Sequence, residues 1–429
     1  MSKKSVKLTP QPEDISDVAE AENNKNIKIK PPKNSKEHKR KKAIIITIIV
    51  ILVLAAIGGT ITALYFLVWN KPTEEAAVQP EEPEEPEAPK YYSKLTGLEI
   101  ASEAENSNPL YCMQIPNGAD GPRPQTGLDE AGVVFEAIAE AGITRFAAVF
   151  QNPKSKTLGP IRSLRSYYLD WDTPFDCAIV HAGGSADAIA AVRSGGYHDL
   201  TESLQYMWRD YNSYWAPNNL MTSPSLLADF AKADGYISAN PQTFSRLSAE
   251  EVADAVAKTK APESNCAEGE ETNCEKPTSE LPFVPSIAIN FGSVPTFNTI
   301  YQYDAATNTY RRSYASGEEH LVYNCADSEK SEPSPKQDCG IAKQLAPSAV
   351  AVMMVDERLD SDNYHHVIQT IGTGTAYVFQ NGTAIKGTWK KSGKASQIIF
   401  ETEAGEPISF TPGQLWIAAI PNYGGSVQY

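Results

Sequence analysis

At 429 residues with 41% hydrophobic content, the chain has enough apolar material for two folded domains, which excludes a wholly disordered protein. Its net charge of −15 is unevenly spread: residues 1–42 hold 12 Lys/Arg against 6 Asp/Glu, residues 70–90 hold 2 Lys against 7 Glu, and −16 remains from residue 91 onward. So acidic a surface excludes nucleic acid as a partner, and any anion must be caught by a local basic pocket.

Residues 1–42 lack apolar periodicity and read as a disordered cytoplasmic tail. Residues 43–69, AIIITIIVILVLAAIGGTITALYFLVW, form an uncharged apolar run longer than the roughly 20 residues a bilayer-crossing helix needs. The flanks set its orientation, with KNSKEHKRKK on one side and NKPTEEAAVQPEEPEEPEAPK on the other. The expectation is one transmembrane helix, a lipid bilayer as partner through residues 43–69, an N-terminus in the cytoplasm and the bulk of the chain outside the cell membrane. Residues 70–90 alternate Pro with Glu pairs, an extended and self-repelling spacer.

Residues 91–240 interleave short apolar runs with helix-like segments, an α/β pattern. LYCMQI (110–115) and DCAIVHAGG (176–184) read as strands, and GVVFEAIAEAGITRFAAVF reads as two strands around Gly142. Pro160 is expected to open a helix, with Arg162 in its first turn and Arg162, Arg165, Ser166 and Leu169 on one face. Further helices are expected behind Ser185, over 223–235 and over 248–260, the last with Ser248 and Glu251 at capping-box spacing. Residues 241–283 combine that last helix with a polar insertion. From 284 to 429 the texture is that of a mainly antiparallel β domain, with Asn381-Gly382 marking a hairpin turn.

Six cysteines lie beyond the apolar run. Cys266 with Cys274, and Cys325 with Cys339, flank polar insertions that cannot bury a thiol, so each pair is expected to be a disulfide. Cys112 and Cys177 lie in apolar strands and suit a bridge or two buried thiols equally. No CxxC occurs, so no metal is expected; with a glycine pair too short for a dinucleotide fingerprint, no cofactor is expected either.

Arginines and polar residues concentrate beside Gly and Pro in five places: GPRPQTGL, EAGITRF, LGPIRSLRSYYLD, VHAGGSADA and WRDYNSYWAPNNL. In this order, and joined by IGTGTAYVFQNGTAIKGTWKK and PGQLWIAAIP further on, they resemble the YerB-like family of bacterial lipoproteins. That family is named for a domain of unknown function with N-terminal and C-terminal parts. The resemblance runs from about Leu95 to Asn422 and implies an extracytoplasmic, membrane-attached, two-part ectodomain without an assigned activity. Two features depart from it: the span at 43–69 stands where a lipid anchor is expected, and Asn218-Asn219 stands where a His-Asn pair is expected.

On the residues themselves, Arg162 and Arg165 suit bidentate capture of an anion, with Arg123, Gln125, Arg145, Ser163 and Ser185 as further ligand-binding candidates. The competing expectation is that the arginines pair internally with Glu136, Glu140 or Asp170. His181 ends a strand at the edge where α/β sheets bind ligands and suits acid–base work, with Glu140 or Asp170 as its carboxylate. Three functions stay open: binding of an anionic or glycan cell-envelope ligand, such as a cell-wall polymer; an envelope hydrolase or transferase using His181; or an interaction scaffold with no small-molecule site. Whether the protein is an enzyme is left open by the sequence.

Overall fold

The computed structural model describes residues 47–55, 58–59, 65, 89–119, 121–259 and 281–429. Residues 1–46, 56–57, 60–64, 66–88, 120 and 260–280, the last including Cys266 and Cys274, lie outside the described residues. Residues 47–55 are helical, and among the described residues no helix is long and apolar enough to cross a membrane. The expected 43–69 span is thus only partly within them.

The unit from Ala88 to Tyr429 is built on one mixed ten-stranded sheet. Its first segment supplies β1 (Leu110–Pro116), β2 (Val133–Glu140), β3 (Ile143–Gln151), α1 (Ser166–Asp172), β4 (Ala178–His181), α2 (Ala186–Ser194) and β5 (Asp199–Thr201). The short strands β6 (Trp208–Arg209) and β7 (Leu220–Met221), then α3 (Pro224–Ala233) and α4 (Ala249–Thr259), follow. The second segment adds β8 (Ser286–Asn290), β9 (Thr299–Asp304), β10 (Thr309–Tyr314), β11 (Ala349–Val355), β12 (Glu357–Leu359), β13 (His366–Ile368), β14 (Gly372–Gln380), β15 (Thr383–Lys391), β16 (Ile399–Thr402), β17 (Leu415–Pro421) and β18 (Ser426–Gln428).

The large sheet runs β16-β15-β14-β11-β17-β2-β3-β1-β4-β5. Strand β17, LWIAAIP, lies parallel to both β11 and β2 and joins the two halves of the chain in one sheet. All seven of its residues are buried, which is why it reads as an unbroken apolar run. The segments read from sequence as two domains therefore share one sheet and one continuous core. A second, antiparallel sheet of order β10-β9-β8-β18 sends Tyr301, Arg312 and Tyr314 toward the large sheet, where Arg312 meets Glu136 and Trp416.

Several local expectations hold. Ala141 (φ 49°) and Gly142 (φ 74°) form a two-residue turn between β2 and β3, and Asn381 (φ 54°) and Gly382 (φ 72°) do the same between β14 and β15. Ser223 accepts a hydrogen bond from the Leu226 N–H, and Ser248 with Glu251 forms the capping box of α4. Ser185 is the N-cap residue of α2, though its side chain makes no capping hydrogen bond.

The helix expected from Pro160 does not form there. Residues 157–165 are extended, and α1 begins at Ser166 with Arg165 at its N-cap position. The competing demand is backbone pairing: Leu158 pairs with Thr222, Ile161 donates to Leu220, and Arg162 is held between Gln114 and Ala182. Arg162 therefore never meets a helix dipole. Cys325 and Cys339 are bridged as expected, and Cys112 and Cys177 form the other disulfide among the described residues.

Candidate functional site

Alternation along a strand places neighbours on opposite faces, so the charged residues of β2 and β3 divide into two separate clusters. Glu136 faces the small sheet, whereas Arg145 faces α1, where Tyr168 donates to the Arg145 carbonyl at 2.6 Å. A register irregularity between Ile138 and Glu140 interrupts the alternation near the strand end and brings the Glu140 carboxylate to Arg145.

The cluster on the α1 face lies at the carboxyl ends of the parallel strands β1 and β4. Arg162 donates its N–H to the Gln114 carbonyl (2.8 Å) and accepts from the Ala182 N–H (3.0 Å), wedging the 162–164 segment between those strand ends. Glu140 is clamped there by two guanidiniums, with Arg145 Nη2 on one carboxylate oxygen and Arg165 Nη2 on the other, each at 2.5 Å. Burial alone pushes the Glu140 carboxyl up, but Arg145 and Arg165 outweigh it and hold the group below its ordinary range. Arg145 also donates to the Ser163 carbonyl at 3.0 Å, and Arg165 to the Leu164 carbonyl at 2.8 Å.

The internal-carboxylate expectation thus describes Arg145 and Arg165 but not Arg162. Half-buried Arg162 makes no side-chain hydrogen bond and no ion pair among the described residues. Burial lowers its pKa, and so do the neighbouring charges of Arg145 and Arg165, with Glu140 opposing. Arg145 and Arg165, 3% and 6% exposed, each leave Nε without a partner. Three guanidiniums thus cluster around one carboxylate that pairs with two of them, leaving two buried Nε–H donors and the Arg162 guanidinium without partners among the described residues.

The other predicted residues are dispersed. Arg123 lies over the Tyr314 ring at 3.6 Å and donates to the Asn117 side chain, and Gln125 accepts from His320 Nε2 at 2.9 Å; both belong to the Glu136 cluster. His181 is fully buried beside the Arg162 backbone, and its ring nitrogens lie 2.8 Å from the Gly183 carbonyl and 2.8 Å from Asp199. Neither ring nitrogen is free to exchange a substrate proton in this arrangement. Asp170 points to the second segment, where it accepts from Thr370 and faces Lys394.

Sequence reasoning missed the Glu136 cluster. Glu136 and Arg312 are both fully buried, and Thr144, Trp416, Tyr301 and His320 complete their hydrogen bonding. Burial, then Arg312 and Arg123, push the His320 imidazole well below its ordinary value, so it stays neutral, accepting from Arg312 at Nδ1 and donating to Gln125. The available signal was one Glu in the apolar run VVFEAIAE, because a charge that deep must be paired.

Below the Arg162 backbone lies a buried acid. Asp172 Oδ2 accepts from Gln114 Nε2 at 3.3 Å, while Asp172 Oδ1 and Gln114 Oε1 have no partner. Burial raises the Asp172 pKa well above 3.8, so its contribution to stability is full below that value and is lost as pH rises through the folded pKa. Asp172→Asn is expected to raise stability at pH 8 by about 1–2 kcal/mol, since the amide carries no charge and can donate to Gln114. The gain should shrink at pH 5; urea unfolding at both pH values decides, and a gain independent of pH would contradict the assignment.

Residues 95–237 match the family model described as Protein of unknown function (DUF3048) N-terminal domain, and residues 287–417 match its C-terminal domain. The curated "Putative lipoprotein YerB" of Bacillus subtilis (strain 168) is 27% identical over 342 residues, covering 78% of this chain and 87% of its own. The crystal structure of YerB protein from Bacillus subtilis matches with a TM-score of 0.59 at 22% identity, covering 79% of this chain and 100% of that one. At that identity the likeness is one of fold.

Proposed function

This chain belongs to the YerB-like family, in which a DUF3048 N-terminal domain is followed by its C-terminal domain, and we propose that it is a membrane-anchored extracytoplasmic protein that binds an anionic cell-envelope ligand at Arg162. Anchoring is supported by the apolar run at 43–69 and by the relative's name, "Putative lipoprotein YerB".

One observation carries the ligand: a half-buried arginine without an ion-pair partner among the described residues, beside two buried arginines with unsatisfied Nε–H groups, in a region of net charge −16. An anion bridging Arg162 to those donors would supply the missing charge. The test is isothermal titration of the full chain in detergent micelles with inorganic phosphate. Arg162→Ala should weaken binding at least tenfold without altering the urea midpoint; equal affinities in the wild type and the variant would reject the site.

A further inference from the structure

We infer that the excursion from Glu202 to Asn219 is a carbohydrate-stacking platform, on which Tyr211 and Trp215 take the ring faces of an anionic glycan whose acidic group reaches Arg162. The inference rests on the anion-binding reading of Arg162 and names the class of ligand that carries the anion.

The first observation is exposure. Trp215 is 83% exposed and Tyr211 70%, and Leu204 on the same excursion is 74% exposed. Burying a large apolar side chain is worth roughly 1.5–3 kcal/mol, so three left in water on one excursion are an unspent interaction surface rather than packing elements.

The second observation is that the excursion is held firmly. Arg209 fastens its two ends, pairing with Glu202 and donating to Asn219 Oδ1 at 3.0 Å. The Asp210 N–H donates to the Asn219 carbonyl, and Asp210 Oδ1 accepts from the Asn212 N–H at 2.9 Å. Tyr214, buried between the two exposed rings in sequence, roots the tip by bonding the Pro124 carbonyl and Thr126. A ring presented on so constrained a backbone loses little entropy when a ligand stacks on it.

The third is position. Ile161 donates to Leu220, and Leu220 pairs with Arg209, so the extended segment before Arg162 and the strand that ends in Arg209 both border β7. The charge of Arg209 is among those acting on Arg162. Aromatic faces and an unneutralised guanidinium thus share one scaffold, a combination that fits sugar rings bearing an acidic group. A lipid surface fits less well, because the exposed Glu202 lies beside the apolar set in sequence and the −16 charge is repelled by anionic leaflets.

The test uses the full chain in detergent micelles, titrated with inorganic phosphate, with neutral chito-oligosaccharide and with an acidic glycan of the same backbone. Tyr211→Ala/Trp215→Ala should weaken both glycans at least tenfold and leave phosphate unchanged. Arg162→Ala should abolish phosphate binding, weaken the acidic glycan and spare the neutral one. Unchanged glycan affinity in the aromatic variant overturns the platform while leaving the phosphate result intact, whereas phosphate affinity indifferent to Arg162 overturns the anion site itself. In proteoliposomes, quenching of Trp215 by brominated phosphatidylcholine, judged against Trp215→Phe and without glycan binding, would assign the surface to the membrane and overturn the inference.

Discussion

Replacing Arg312 with Met is expected to lower the unfolding free energy by about 3–5 kcal/mol, because it strands a buried carboxylate. Arg312 Nη2 lies 3.0 Å from both Glu136 oxygens, and neither residue is exposed. The other donors to Glu136, Thr144 Oγ1 and Trp416 Nε1 at 2.9 Å and Asn117 Nδ2 at 3.5 Å, are neutral and cannot cancel its charge. The loss would also orphan groups that Arg312 serves, since its Nε donates to the Tyr301 hydroxyl at 3.1 Å and its Nη1 to His320. Because Glu136 is on β2 and Arg312 on β10, the damage falls where the small sheet is seated on the large one. Urea unfolding of Arg312→Met, Glu136→Gln and the double variant reads this directly. The double variant should regain part of the loss, since its buried amide carries no charge; a cost below about 1 kcal/mol for Arg312→Met would show that the carboxylate is not held by this pair.

The placement of that pair marks where the sequence stops being informative. Local signals were legible: the β2–β3 turn at Ala141-Gly142, the capping box of α4 and the strand at 110–116 all depend on neighbours in the chain. The segment 157–165 was not, because Pro160 is compatible with a helix start and its actual conformation is set by strands around Gln114, Ala182 and Leu220. The sheet shared by the two segments was not legible for a related reason. Strand β17 is read in sequence as part of the second segment, and only the three-dimensional pairing shows that it lies between β11 and β2.

The candidate site divides in the same way. Five basic or polar motifs were grouped by their proximity to Gly and Pro, but the fold places Arg123 and Gln125 with the Glu136 cluster and Arg145 and Arg165 with Glu140. Glu140 was legible as a carboxylate partner, yet its pairing depends on the irregularity after Ile138, which has no sequence signature. The unpartnered state of Arg162 is legible only by elimination, once the hydrogen bonds of Arg145 and Arg165 are known.

Reducing the Cys112–Cys177 disulfide is expected to cost about 4 kcal/mol, more than the bridge between Cys325 and Cys339. The two bridges span sequence separations of 65 and 14, and the entropy recovered by the unfolded chain grows with the logarithm of the loop. The longer loop encloses β2, β3 and α1, and with them Glu140, Arg145, Arg162 and Arg165, so the bridge ties together the scaffold of the proposed anion site. Reduction is the cleaner perturbation, because it leaves both sulfurs in the core, where Cys112 is fully buried; Cys112→Ala/Cys177→Ala would add a cavity cost. With Cys325→Ala/Cys339→Ala as background, adding reductant should move the urea midpoint sharply downward. A shift worth less than about 1 kcal/mol would mean that the unfolded chain already keeps β1 and β4 together, and that the bridge follows the strand pairing rather than enforcing it.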